Sequence, residues 1–91
     1  MTPTVAAIKA AVTERYSIDL SRGSETTTLP RRIAMYLARE MTGLSPDEIG
    51  SAFNGDAAAV RQAVDSIDEL AWNDTVFANA LKELRIMVTD G

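Results

Sequence analysis

The stretch that decides the fold covers residues 29–63 and reads LPRRIAMYLAREMTGLSPDEIGSAFNGDAAAVRQA. In its middle, Ser45-Pro46-Asp47-Glu48 has the pattern of a capping box with proline at the first helical position. Gly43 stands where a left-handed residue would end the preceding helix, and Asn54-Gly55 is a turn dipeptide. Helix, turn, short helix, turn and helix therefore follow one another, which predicts a helix-turn-helix.

The N-terminal side is predicted to be one helix followed by a connection. Residues 3–15 are expected to be helical, because Thr2-Pro3 supplies an N-cap and a first helical residue and apolar residues recur at three- and four-residue spacing. Residues 16–28 have no sustained period. In this connection a short extended piece is expected to turn Ile18 and Leu20 inward.

Helix starts can also be assigned further along the chain. Pro30 is expected to restart a helix, with Thr28 or Leu29 at its boundary. Asp56 is a good N-cap for a helix from Ala57 to about Ala71, and Asn73 or Asp74 then caps a last helix.

Each predicted helix carries one apolar stripe, which indicates an all-α fold, a compact bundle of about five helices that contains the helix-turn-helix. Residues 1–91 are expected to form one domain. The expected core positions are Val5, Ile8, Ala11, Val12, Ile33, Ala34, Leu37, Met41, Ile49, Ala52, Phe53, Val60, Ala63, Val64, Ile67, Ala71, Val76, Phe77, Ala80, Leu81, Leu84 and Val88.

Residue types on which many enzymes and metal sites depend are missing. The chain has no Cys and no His, which excludes disulfides, Cys nucleophiles, His general bases and Cys/His zinc sites. It has no glycine-rich phosphate loop, so no nucleotide is expected. Asp65, Asp68 and Glu69 share a helix face, and we interpret them as solvated acids rather than a magnesium site. We therefore expect no enzymatic activity, no cofactor and no metal.

Hydropathy and charge restrict the location and the partners. No stretch approaches the roughly 20 apolar residues of a membrane span, and the N-terminus lacks the features of a signal peptide, so we expect a cytoplasmic chain that does not bind membranes. The net charge of −4 is unfavourable for binding phosphates. Residues 15–39 carry five basic and two acidic side chains, whereas residues 40–91 carry three basic and ten acidic ones. An anion-binding surface is therefore expected in the first half.

Two segments carry a family resemblance. They are residues 31–42, RRIAMYLAREMT, and residues 44–56, LSPDEIGSAFNGD. Both resemble the C-terminal, origin-binding domain of the bacterial replication initiator DnaA, which typically reads R-Q-x-A-M-Y-L-x-R-E-x-T and then L-S-x-x-E-I-G-x-x-F-G-G-R-D-H-T-T-V. The likeness extends more loosely over nearly the whole chain.

The resemblance implies a domain that binds double-stranded DNA, with the helix after Gly55 in the major groove and a basic loop in the adjacent minor groove. The candidate DNA-contacting residues that it identifies are Arg22, Arg31, Arg32, Arg39, Asp56, Ala57, Ala58, Ala59 and Arg61.

Several of these positions depart from the family pattern. Alanines 57–59 stand where His, Thr and Thr are expected, and the turn before Asp56 is one residue shorter. Alanine has no hydrogen-bonding side chain, so it contacts bases at most through a thymine methyl group. Residues 23–28, GSETTT, replace the basic loop, and residues 56–71 carry four acids and one arginine. Binding is therefore expected to be weak or altered in specificity.

The candidate residues also have ordinary structural interpretations. Arg31, Arg32 and Arg39 are either phosphate contacts or part of a solvated helix face. Asp56 is more simply an N-cap, and the alanine run is a good helix former at an unused surface. Trp72, near a helix end, is expected to close one end of the core; the alternative is an exposed partner contact.

Two functional hypotheses follow. The first is a DNA-binding module of the replication-origin type. The second is a stand-alone protein-interaction or regulatory domain that kept the fold and lost DNA binding. A continuous positive face that includes Arg22, Arg31 and Arg32 would favour the first, and acids that interrupt this face would favour the second. The family likeness places DNA binding ahead.

Overall fold

The structure is a computed structural model that describes residues 4–16 and 28–90. These residues contain five helices. The expected all-α fold is confirmed. The predicted extended piece at Ile18 and Leu20 lies outside the described residues. In chain order the helices are α1 (Val5–Tyr16), α2 (Thr28–Met41), α3 (Pro46–Ala52), α4 (Ala57–Asn73) and α5 (Thr75–Asp90).

The first helix begins two residues later than predicted. Thr4 caps it, because its hydroxyl accepts a hydrogen bond from the Ala7 amide at 3.1 Å and its carbonyl accepts one from Ile8 at 3.0 Å. A threonine hydroxyl that satisfies one of the free N-terminal amides makes a stable helix start. A helix start at residue 3 would place Thr4 inside the helix, so that predicted start is wrong, while the predicted cap Thr2 lies outside the described residues.

α2 and α4 are the two central helices: α2 contacts α1, α3 and α4, and α4 contacts α2, α3 and α5, while α5 also packs on α1. The predicted stripes of the first four helices are buried or packed against the core. Full burial of a large aliphatic side chain contributes about 1.5–3 kcal/mol. The largest fully buried side chains are Ile8, Val12, Ile33, Leu37, Ile49, Val60, Ile67, Leu81 and Leu84.

Two large side chains that were predicted to be buried are exposed. Trp72 is 90% exposed and Val76 is 80% exposed. Trp72 comes five residues after the buried Ile67, and Val76 comes five residues before the buried Leu81, so each lies about 140° around its helix from the core. Helical phase, and not the apolar character of these side chains, decides that they face outward.

Candidate nucleic-acid interface

The helix-turn-helix begins with a complete capping box. Ser45 Oγ accepts a hydrogen bond from the Glu48 amide at 3.2 Å, and Glu48 Oε1 accepts one from the Ser45 amide at 3.2 Å. Pro46 follows at the helix start, and Gly43, with φ +72°, ends α2 in the left-handed region. These predictions are confirmed, and each depends on residues at most four positions apart.

Gly50 is where α3 approaches the start of α4. A Cβ on this residue would lie 2.7 Å from the carbonyl carbon of Asp56. The Gly50 carbonyl accepts hydrogen bonds from the amides of Phe53 at 3.1 Å and Gly55 at 2.7 Å. Between them, Asn54 adopts φ +58°, which asparagine tolerates better than most residues. The turn is thus tied back onto α3 by backbone hydrogen bonds.

Two cations from other helices bind the C-terminal end of α3. Lys9 on α1 donates from Nζ to the Ala52 carbonyl, and Arg31 on α2 donates from Nη2 to the Phe53 carbonyl. Lys9 Nζ also lies 4.6 Å from the centre of the Phe53 ring. Carbonyls at a helix C-terminus lack intrahelical partners and carry partial negative charge, so both cations complete this helix end.

Asp56 caps α4, as predicted. Its Oδ1 accepts a hydrogen bond from the Ala59 amide at 2.8 Å, and its carbonyl accepts one from Val60 at 3.3 Å. Beyond the cap, Ala57 and Ala59 are half-buried and Ala58 is exposed. The first turn of α4 therefore presents alanine methyl groups beside the Asp56 carboxylate, which is hydrogen-bonded to the Ala59 amide.

One turn later, α4 exposes side chains that can form hydrogen bonds. Arg61, Gln62 and Asp65 are all exposed. Gln62 was not among the predicted contact residues, although its helical position beside Arg61 could have identified it. Lys9 was also missed, and no local pattern could have found it because its carbonyl partner is 43 residues away.

Two open clefts run beside α4, and each contains an arginine from α2. Arg39 and Arg61 line a cleft of about 250 Å³ at the N-terminal half of α4, together with Asp65. Arg32 lines a cleft of about 390 Å³ at the C-terminal half, together with Glu69. Arg32 and Arg39 therefore both lie on the α4 side of α2, but they face different halves of α4.

The basic side of α2 is interrupted by acids. Glu69 stands in the cleft with Arg32, and Asp65 stands in the cleft with Arg39. Arg22 and residues 23–27 lie outside the described part of the chain. The described surface is mixed in charge, so its attraction for phosphates is weaker than that of a continuous basic groove.

A polar cluster joins α2 to α5. Arg85 Nε lies 2.8 Å from Glu40 Oε1, and Arg85 Nη2 donates to Glu40 Oε2 at 3.0 Å and to the Tyr36 hydroxyl at 3.5 Å. Burial raises the pKa of Tyr36, and the Glu40 carboxylate raises it further. The hydrogen bond with Glu40 raises the pKa of Arg85. Both partners of the ion pair are partly exposed, so the pair contributes at most about 1 kcal/mol.

A comparison with protein families identifies the family to which this helix-turn-helix belongs. Residues 5–67, from the start of α1 into α4, match the model described as the bacterial dnaA protein helix-turn-helix. The chain belongs to this family. Because the match includes α3, the turn and α4 as far as Ile67, the DnaA resemblance predicted from the two sequence segments is confirmed.

Several proteins named chromosomal replication initiator protein DnaA are relatives of this DnaA-type domain. The one from Symbiobacterium thermophilum is 38% identical over 87 residues, which cover 89% of this chain and 19% of the relative. The one from Gluconobacter oxydans is 37% identical over 91 residues, 93% of this chain and 19% of the relative. The one from Mesorhizobium japonicum is 41% identical over 71 residues, 77% of this chain and 14% of the relative.

This DnaA-type chain thus spans about a fifth of the length of the first two relatives.

Asp65, Asp68 and Glu69 are exposed on α4, as expected of solvated acids. Within residues 4–16 and 28–90, no helix combines the length and the hydropathy needed to cross a bilayer.

Proposed function

We propose that this DnaA-type helix-turn-helix domain binds double-stranded DNA along the N-terminal half of α4. The observation that supports the proposal is the convergence of Arg39 from α2 and Arg61 from α4 on one open cleft. Guanidinium groups form paired, charge-assisted hydrogen bonds with phosphate oxygens. Two of them on neighbouring helices suit the backbone of one DNA strand, and Asp65 in the same cleft reduces their net attraction.

In this proposal α4 enters the major groove. Its exposed residues there are Ala58, Arg61, Gln62 and Asp65. Alanine offers only a methyl contact to thymine, whereas arginine pairs with guanine and glutamine with adenine. The sequence preference should therefore differ from that of family members with the His-Thr-Thr pattern, because hydrogen bonding to bases begins one helical turn later.

The target we propose is duplex DNA of the replication-origin type, in the cytoplasm, because the relatives carry the name of a chromosomal replication initiator. The net charge of −4 argues for low affinity. Each of the two arginine clefts also contains one carboxylate, Asp65 or Glu69. Weak, salt-sensitive binding is the expected behaviour.

Fluorescence anisotropy tests the proposal with a labelled origin-type duplex and a scrambled duplex of equal composition. We expect dissociation constants in the range of about 1–100 μM that rise with salt, because each neutralised phosphate adds about 0.9 to the slope of log K against log salt. A matched Arg39→Gln variant should bind more weakly to both duplexes. Absence of salt-dependent binding at high micromolar protein would refute the proposal.

A second candidate function, protein interaction, is favoured by the acids that interrupt the arginine face and by a further observation. Trp72 and Val76 are exposed near the α4–α5 junction, at the other end of α4 from the Arg39 cleft. Exposed tryptophan is a frequent anchor of protein interfaces. Trp72 is also the sole tryptophan, so its emission reports directly on this end of the molecule.

Tryptophan emission separates the two candidates. If the Trp72 end binds another copy of the chain, the emission should shift to the blue as protein concentration rises, and sedimentation should show a dimer that Trp72→Ala abolishes. If DNA binding is the function, a DNA titration should raise anisotropy in wild type and Trp72→Ala alike. Self-association without DNA binding would favour the second candidate.

A further inference from the structure

We propose that Lys9 and Arg31 form a positioning clamp on the C-terminal end of α3, and that this clamp sets the orientation of α4 for DNA. The inference rests on the proposed DNA-binding function and deepens it. It replaces the expected phosphate contact of Arg31 with an indirect role: Arg31 acts through the Phe53 carbonyl. Lys9, which no sequence pattern singled out, becomes its partner.

The clamp grips two consecutive carbonyls from two directions. Lys9 and the Ala52 carbonyl are 43 residues apart in the chain, and Arg31 and the Phe53 carbonyl are 22 apart. Both bonds are partly buried, which strengthens a charge-assisted hydrogen bond relative to an exposed one. The Phe53 ring beneath the Lys9 ammonium adds a cation–π contact.

The Ala52 and Phe53 carbonyls are linked to the start of α4 by a short series of hydrogen bonds and backbone contacts. The residue that carries the second carbonyl, Phe53, donates its own amide to the Gly50 carbonyl, and Gly55 donates to the same oxygen. The Asp56 backbone then packs on Gly50, and the Asp56 side chain caps α4 by accepting a hydrogen bond from the Ala59 amide. A shift of the α3 end relative to α1 and α2 therefore moves the start of α4.

Orientation matters more here than in a helix whose first turn carries base-contacting side chains. The first turn of α4 offers only alanine methyl groups, which have no hydrogen bonds to correct a misplaced helix. Arg61 and Gln62 reach base edges only if the helix enters the groove at the right angle. The clamp fixes this angle by holding the C-terminal end of α3.

Amide hydrogen exchange in the free protein provides the first test. Lys9→Met and Arg31→Met should each accelerate exchange of the Gly55 amide by about tenfold, the effect of losing one hydrogen bond in this turn. Arg31→Lys keeps a donor and a charge, so it should restore protection. Lys82→Met, which removes an exposed cation on α5, is the control and should leave exchange unchanged. Unchanged protection in both clamp variants would overturn the proposal.

DNA binding provides the second test, with the same four variants and the two duplexes. A positioning role predicts that Lys9→Met and Arg31→Met reduce the affinity ratio of origin-type to scrambled duplex while the salt slope stays at the wild-type value. If Arg31→Met instead lowers the slope by about 0.9 and Lys9→Met has no effect, Arg31 is a phosphate ligand and the inference is wrong. If the wild type binds no duplex, the proposed function fails, and the exchange data alone decide whether the clamp exists.

Discussion

Gly50 and Asp56 are in backbone contact: a Cβ on Gly50 would lie 2.7 Å from the Asp56 carbonyl carbon and 2.8 Å from its oxygen. This contact joins the last part of α3 to the residue that caps α4. The Gly50 carbonyl meanwhile accepts two amides of the turn. The placement of the proposed recognition helix therefore depends on a position that has no side chain.

Gly50→Ala should destabilise the domain by about 1–3 kcal/mol, because the new methyl group overlaps backbone atoms that cannot rotate away. Helix propensity alone predicts the opposite sign, a gain of up to about 1 kcal/mol. Urea denaturation followed by circular dichroism measures the difference. Gly55→Ala is the matched control, since its new Cβ would meet nothing closer than the Ala59 Cβ at 3.6 Å. Equal stability of the two variants would contradict the tight contact.

Asp56→Ala should cost about 1 kcal/mol, the usual value of an N-cap, because the Ala59 amide loses its acceptor. Asp56→Asn keeps the acceptor and removes the charge, so it should retain most of the stability. It should also bind DNA more tightly than wild type, since a carboxylate is removed from the groove-facing end of α4. Thermal unfolding and anisotropy on the same samples separate the two effects. Asp74→Asn, at the cap of α5, is a control for unspecific charge removal.

Arg39→Gln and Arg61→Gln should each lower the salt slope of DNA binding by about 0.9, and the double variant by about twice as much. Both side chains are exposed, so stability should change little. The measurement is anisotropy over a series of salt concentrations, with Lys82→Gln as a control on the exposed surface of α5. A double variant with the wild-type slope would exclude this cleft as the phosphate site.

Stability should decrease at alkaline pH through Tyr36. Burial raises the pKa of this phenol in the folded protein, and the Glu40 carboxylate raises it further. The folded chain therefore keeps a proton that the unfolded chain loses at about pH 10, and the corresponding stability, complete below that pH, is lost as pH rises through the higher folded pKa. Urea denaturation from about pH 9 to 11 should show this loss in wild type and less of it in Tyr36→Phe.

Glu40→Gln provides an independent check on the same cluster. It removes the second cause of the shift but leaves the phenol buried, so the pKa of Tyr36 should fall while staying above its ordinary value. Absorbance of tyrosinate measures the change. Loss of the ion pair with Arg85 should itself cost no more than about 1 kcal/mol, because the pair is partly exposed. A fall in the pKa to the ordinary value would mean that burial is not the main cause.

Much of the architecture was predictable from short segments. The Ser45 capping box and the Asp56 cap follow from side chains that bond to backbone within four residues. The Gly43 helix end follows from the freedom of glycine to adopt φ +72°. Apolar spacing placed most of the core. Errors occurred where the spacing was ambiguous near helix ends: Val76 and Trp72 are apolar, but their angular positions turn them to the solvent.

The candidate site was less predictable. The family resemblance identified Arg31 as a DNA contact, whereas the folded chain directs its guanidinium to the Phe53 carbonyl. Its partner Lys9 lies on another helix. The cleft shared by Arg39 and Arg61 likewise joins residues of different helices. No sequence period encodes such pairings, because they depend on how helices pack.

By itself, then, the sequence determined the helices, the caps of α3 and α4, the helix-turn-helix and membership of the DnaA family, because those features depend on local hydrogen bonds and on contiguous motifs. Tertiary packing alone decided which cations hold the end of α3, which arginines share a cleft, and which apolar side chains remain in solvent. The physical reason is that hydrogen bonds between groups 22 and 43 residues apart form only after the helices have been packed against one another.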